Sequence, residues 1–163
     1  MSQAIAQLIF AHEFFHLWNG KSFAPGGDDA VGRLSMTNGE LKHDHWGLIY
    51  SGGLFVAIAQ DLQIRSATAN QKSLDDLMRL MFNKYGDNGY DSTDIKRALS
   101  DLNGASQEDF FNQYIFGAER IPVSYYLRQA GIETRHENGQ TMFEIESNTA
   151  ADKSELRRGL FGH

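Results

Sequence analysis

The sequence predicts a mainly α-helical domain that closes with a small C-terminal β-hairpin. Two features point to helices: apolar residues recur at offsets of three and four through most of the chain, and capping residues flank those stretches. A third points to the hairpin. Near the end, IETRHENGQTMFEI alternates around Asn138-Gly139, the preferred pair for a two-residue type I′ turn. The expected division is a helical unit over residues 1–131, followed by a hairpin and tail over 132–163.

In chain order, Ser2 to Trp18 places Ile5, Leu8, Ile9, His12, Phe15 and His16 on one helical face, with Gly20 as a stop signal. Lys21 to Glu40 is rich in Gly, Asp, Ser and Asn without a sustained period, which predicts a loop; loops this long are usually functional or disordered. From about His45 to Thr68 the pattern is helical and strongly apolar. Leu54, Phe55, Ile58, Leu62 and Ile64 form the expected buried face of a central helix. Gly52-Gly53 weaken it and suit a close backbone approach.

Shorter helices follow. Ser73 caps Leu74 to Tyr85, with Asp75 and Asp76 where the helix dipole favours negative charge. Ser92 or Thr93 opens a helix to Leu102, and Asn103-Gly104 closes it. Ser106 and Asp109 resemble a capping box ahead of DFFNQYIFG. Pro122 suits the first helical position of PVSYYLRQ, with Gly131 past its end. The tail from Ser147 is polar and weakly patterned.

Composition narrows the function classes. A net charge of -6 argues against a general nucleic-acid binder, which carries a basic footprint. No apolar run is long enough for a transmembrane helix. The opening stretch has no basic n-region and no small-residue cleavage site, so it does not read as a signal peptide. The absence of cysteine removes disulfides, zinc–cysteine sites and thiol catalysis, and suits a cytosol and a periplasm alike.

The chemistry-bearing motif lies in the first helix, where His12-Glu13-Phe14-Phe15-His16 fits H-E-x-x-H. Two histidines four residues apart lie one above the other, so both imidazoles can reach one metal ion. Zinc accepts two such nitrogens, and a catalytic site adds a third protein ligand and a water. Glu13 is placed to act as general base on that water. The same motif also occurs in helices that bind no metal. Here the flanking Ile9, Phe10, Phe14, Phe15 and Leu17 make the helix largely buried, where unpartnered polar groups are costly.

HEFFHLWNGKSF resembles the active-site helix of the glycyl aminopeptidase family, gluzincin zinc metallopeptidases with HE-aromatic-FH followed by W-N. LIYSGGLFVAIAQDLQIR resembles that family's Y-x-G-G/A helix, and KSLDDLMRLMFNKYG, DFFNQYIFG and IPVSYYLRQAGI follow in the family's order. The likeness spans roughly Ala6 to Ile132. It implies a helical catalytic subdomain of thermolysin-like metallopeptidase type, zinc as cofactor and peptides as substrates, with N-terminal Gly or Ala removed. Carried over by position, His12 and His16 become metal ligands, Glu13 the base, and Tyr50 a donor to the oxyanion of the tetrahedral intermediate. For Tyr50, packing against the glycine-marked helix is the competing role.

The chain departs from the family at one important place. The family's third ligand sits in a segment like W-x-x-E-G-x-T-x-Y-Y, which this sequence lacks between Gly20 and His45. Asp28 and Asp29 lie twelve and thirteen residues beyond His16, short for a ligand on a separate helix. Glu40 lies twenty-four beyond it, a workable distance, with His43, Asp44 and His45 close by. The β-rich portion that precedes the zinc helix in the family and the PDZ-like module that often follows it are also missing. Two further expectations stay open: completion of the site by another chain, and a catalytically silent helical module that binds a partner.

Overall fold

The computed structural model describes residues 46–85, 90–138 and 140–162. Within them the protein is mainly helical with one small antiparallel sheet, as the patterning predicts. The order is α1 (Trp46–Ala67), α2 (Leu74–Tyr85), α3 (Ser92–Asn103), α4 (Glu108–Phe110), a π-helical turn (Phe111–Ile115), α5 (Val123–Gln129), β1 (Ile132–Glu137), β2 (Gln140–Ile145) and α6 (Ala151–Phe161). The expected helix over Ser2 to Trp18 and the loop over Lys21 to Glu40 lie outside the described residues.

α1 is the central element and packs against α2, α3, α5 and α6. Neighbours on several sides explain why its burial departs from the single stripe expected. Val56, Ala59, Gln60, Leu62 and Ile64 are the most enclosed, whereas Leu54, Phe55 and Ile58 are only half-buried. Small Ala59 lets a neighbour approach, and Leu62, Ile64, Leu77, Leu99 and Phe111 fill the space around it. Full burial of such a side chain contributes about 1.5–3 kcal/mol. Truncating one, as in Leu99→Ala, costs about 2–5 kcal/mol because the cavity only partly collapses.

α1 ends where Thr68 Oγ1 donates to the Ile64 carbonyl at 2.8 Å, and Ala69 and Asn70 then turn the chain at φ 48° and 61°. Asparagine tolerates this left-handed region, while alanine costs about 1–2 kcal/mol there. Side chains pin the turn. Arg65 Nη1 donates to Asn70 Oδ1 at 2.9 Å, and Asn70 Nδ2 donates to the Glu155 carbonyl of α6 at 3.0 Å.

Ser73 caps α2 as expected: its Oγ accepts from Asp75 N at 3.2 Å, and Asp76 Oδ2 accepts from Ser73 N at 2.9 Å. α3 opens at Ser92, but the capping side chain belongs to Asp91. Its Oδ1 accepts from Asp94 N at 3.0 Å, and Asp94 Oδ2 accepts from Asp91 N at 3.2 Å. Carboxylates thus fill both halves of the box, leaving Ser92 as the first helical residue. Gly104 closes α3 at φ 66°, a conformation that favours glycine.

The box expected at Ser106 and Asp109 is absent. Ser106 Oγ accepts only from Glu108 N at 3.2 Å, and the capping position falls to Gln107, whose side chain points into the core. Beyond α4 the backbone widens into the π turn, closed by Phe116 N donating to Phe111 O at 2.8 Å. The extra residue per turn lets Phe110, Phe111 and Ile115 all reach the core. Phe110 meets Tyr114 and Tyr126 edge-on, with ring centroids 5.1 and 6.5 Å apart. Pro122 sits one step before α5, which starts at Val123.

The hairpin forms in the expected register, from Ile132 opposite Ile145 to Glu137 opposite Gln140. Ile132 joins the core and β1 packs on α5. The tail is the main correction to the sequence reading, because α6 is a regular helix where only a weakly patterned segment is expected. Leu156, Leu160 and Phe161 pack on the core, and Arg157 Nη1 donates to the Ala130 carbonyl at 3.0 Å. Ala150 offers no side-chain cap and Gly159 weakens the helix locally, so α6 depends on tertiary contact.

Candidate functional site

The metal-ligand candidates His12 and His16 and the base candidate Glu13 lie outside the described residues. The same holds for Asp28, Asp29, Glu40, His43, Asp44 and His45, the positions considered for a third ligand. Tyr50 falls near the start of α1, and its side chain is likewise outside the description. Among the described residues no group of three or more His, Cys, Asp or Glu could hold a metal ion. His136 stands apart on the hairpin, its Nδ1 3.0 Å from Thr141 Oγ1.

The described residues do show how α1, the helix that carries Tyr50, is held in place. In its second half, Gln60-Asp61-Leu62-Gln63 puts three polar side chains into an otherwise apolar interior. Gln60 Nε2 donates to Gln107 Oε1 at 3.0 Å, and Gln107 Nε2 donates to Gln63 Oε1 at 3.1 Å. Gln63 Nε2 donates to the Tyr126 hydroxyl at 3.3 Å, and Asn103 Nδ2 lies 3.4 Å from both Gln60 Oε1 and Gln63 Oε1. α1, α3, α4 and α5 therefore meet around one chain of amides, each donor turned toward an acceptor. Asn103 Oδ1 is the exception, buried with no hydrogen-bond partner among the described residues.

Electrostatics distinguish this interior from a reaction centre. Amides neither titrate nor attack, so the network supplies position and polarity without acid–base chemistry. Burial pushes the Tyr126 hydroxyl above its ordinary range, partly offset by the hydrogen bond from Gln63. Burial alone raises Tyr90. Asp61 Oδ2 accepts from Arg65 Nε at 2.6 Å and its Oδ1 accepts from Leu74 N at 2.7 Å, so one carboxylate ties α1 to the start of α2. At the surface, the Tyr85 hydroxyl donates to Asp94 Oδ1 at 2.8 Å and, with the Asp91 backbone, holds Asp94 below the usual carboxylate range. Lys96 holds Glu108 down in the same way.

No family model matches the chain, and no curated protein or solved structure shows significant similarity to it.

The sequence marks Asn103 only as part of a helix stop and does not single out Gln60, Gln63 or Gln107. A signal was present: Gln60 and Gln63 stand three apart on one helical face, inside the apolar run of the central helix. Their partners Asn103 and Gln107 carry no such mark, because they flank a chain reversal where polar residues are ordinary.

Proposed function

We propose that this protein is a zinc metallopeptidase of aminopeptidase type, of the glycyl aminopeptidase kind with a thermolysin-like helical subdomain, acting on peptides with N-terminal Gly or Ala. The observation that supports this reading is the succession of HEFFHLWNG and Tyr50-Ser51-Gly52-Gly53 in one chain, with helix-forming segments following in the family's order. By donor chemistry, two imidazoles four residues apart on a helix suit zinc. Zinc at His12 and His16 would supply Lewis-acid polarisation of the scissile carbonyl. Glu13 takes the proton of the attacking water and returns it to the leaving amine. Tyr50 donates a hydrogen bond to the developing oxyanion.

A second reading draws support from the missing W-x-x-E-G segment. Without a third protein ligand zinc affinity falls, and the chain becomes a helical module that binds a partner instead of cutting peptides.

One experiment separates the two readings. The full chain is purified, its zinc content measured by mass spectrometry, and hydrolysis of glycyl and alanyl chromogenic amides followed. The peptidase reading requires near-stoichiometric zinc and hydrolysis, with hydrolysis lost and zinc retained in Glu13→Gln. Protein that cleaves neither substrate, whether zinc-poor or zinc-loaded, leaves only the module.

A further inference from the structure

The outer edges of the hairpin's two strands are guarded unequally. β1 carries Glu133, Arg135, His136 and Glu137. β2, QTMFEI, holds one charge, Glu144, and that is paired with Arg135 at 3.2 Å. It has no proline or lysine, the usual guards of an edge strand. The sheet has two strands, so among the described residues nothing pairs with the outer edge of β2. Its apolar side chains are also uncovered: Met142 is 46%, Phe143 60% and Ile145 62% exposed.

The hydrogen-bond pattern shows which main-chain groups that edge presents. Glu146 N donates to Gly131 O at 3.0 Å, which sets residues 131 and 146 at a hydrogen-bonding position of the ladder, although Gly131 N itself donates to Arg128 O. Antiparallel ladders alternate, so Glu144 and Met142 also turn their N–H and C=O toward β1. Thr141, Phe143 and Ile145 then direct theirs outward. The side chains of these three share the sheet face of Ile132 and Thr134, opposite which they pair or stand in line.

We propose that β2 pairs antiparallel with β2 of a second copy of this chain, about a two-fold axis through Phe143, forming a continuous four-stranded sheet. Only outward-directed residues can bond across such an edge, so Thr141, Phe143 and Ile145 must oppose one another. With Phe143 opposite its own copy, Thr141 faces Ile145 and Met142 faces Glu144. This register uses the strand's full outward set and forms about six main-chain hydrogen bonds. It brings two aromatic rings together across the axis, a favourable cross-strand pair. Charge selects it as well. An axis through Glu144 would set two carboxylates against each other, and an axis through Met142 would leave Ile145 outside the paired strands. The pairing does not depend on the zinc chemistry proposed above.

The test is sedimentation equilibrium on the full chain from micromolar to millimolar concentration. The expected mass rises to twice that of the 18.3 kDa chain. Thr141→Pro and Phe143→Pro remove outward N–H groups and none of the hairpin's own main-chain bonds, so each is expected to stay monomeric with an unchanged far-ultraviolet spectrum. Phe143→Lys keeps the main chain intact and places two like charges at the axis, and is expected to weaken association at least about tenfold. Amide exchange gives an independent readout: Thr141, Phe143 and Ile145 should gain protection as the dimer forms. A wild-type monomer at every concentration overturns the proposal. So does a dimer that survives all three substitutions. Protection of the three edge amides in a monomer overturns it in favour of a segment of the same chain lying on β2.

Discussion

Replacing Asp61 by alanine tests the junction that fixes α1 against α2. The carboxylate accepts from Arg65 Nε at 2.6 Å and from Leu74 N at 2.7 Å. Its loss leaves the Leu74 N–H at the helix start without its acceptor, an effect of about 1 kcal/mol. The Arg65–Asp61 side chains are only 14% and 10% exposed. The pair therefore falls between a surface ion pair, at about 0–1 kcal/mol, and a buried one broken on one side, at about 3–5 kcal/mol. Arg65 keeps its bond to Asn70 Oδ1 at 2.9 Å, which places the loss toward the lower part of that interval. With about 2 kcal/mol assigned to the broken pair, the expected total is about 3 kcal/mol. In a chain of this length that lowers the melting temperature by about 6–12 °C. Urea unfolding followed by circular dichroism measures the loss as a lower midpoint at unchanged slope. Arg79→Ala is the control. It breaks the Arg79–Asp76 pair at 3.3 Å, whose side chains are 69% and 35% exposed, and is expected to cost less than about 1 kcal/mol. Equal losses in the two variants would refute the assignment of Asp61 as an anchor.

Two further outcomes follow from the described geometry. A Cβ on Gly117 would meet the carbonyl oxygens of Asn112 at 2.5 Å and Gln113 at 2.6 Å. Gly117→Ala should therefore destabilise the fold by about 1–3 kcal/mol, read as a lower urea midpoint, and an unchanged midpoint would show that the π turn adjusts freely. The depressed Asp94 ionisation predicts a pH effect with a definite sign. A carboxylate whose folded value lies below its ordinary 3.8 contributes stability that is fully present above that value and lost as pH falls through the folded one. Tyr85→Phe removes the largest cause of the depression, so stability measured between pH 5 and pH 2 should fall less steeply in the variant, within about one pH unit of the carboxylate range. Parallel acid limbs in the two proteins would count against the Tyr85–Asp94 bond.

The elements legible in the sequence are those set by local chemistry. α2 and α3 show both an apolar stripe and a capping residue within one or two positions of the observed start. The hairpin is legible because Asn138, at φ 51°, sits beside a glycine between two alternating runs. α6 is illegible for the opposite reason, since its three core contacts, Leu156, Leu160 and Phe161, lie on either side of Gly159 and its start has no side-chain cap. The π turn depends on where Phe110, Phe111 and Ile115 find space among other helices, which no local pattern records. The candidate site divides in the same way. The proposed ligand pair His12 and His16 rests on a four-residue spacing that the sequence displays directly. A third ligand for the proposed site, with Glu40 as a candidate, would depend on the long-range path of the chain, which spacing along the sequence does not specify.

The amide chain at Gln60, Gln63, Asn103 and Gln107 also determines alignment. Apolar surfaces are tolerant of sliding: α1 shifted by one turn, about 5.4 Å, would still meet hydrocarbon on most sides. Amides are not tolerant, because each bond has a direction, and the order of donors and acceptors matches in only one position. A slip would strand several buried polar groups at about 1–3 kcal/mol each. Hydrocarbon thus supplies the pressure that brings the helices together, and four uncharged side chains supply the index mark that tells α1 where to stop.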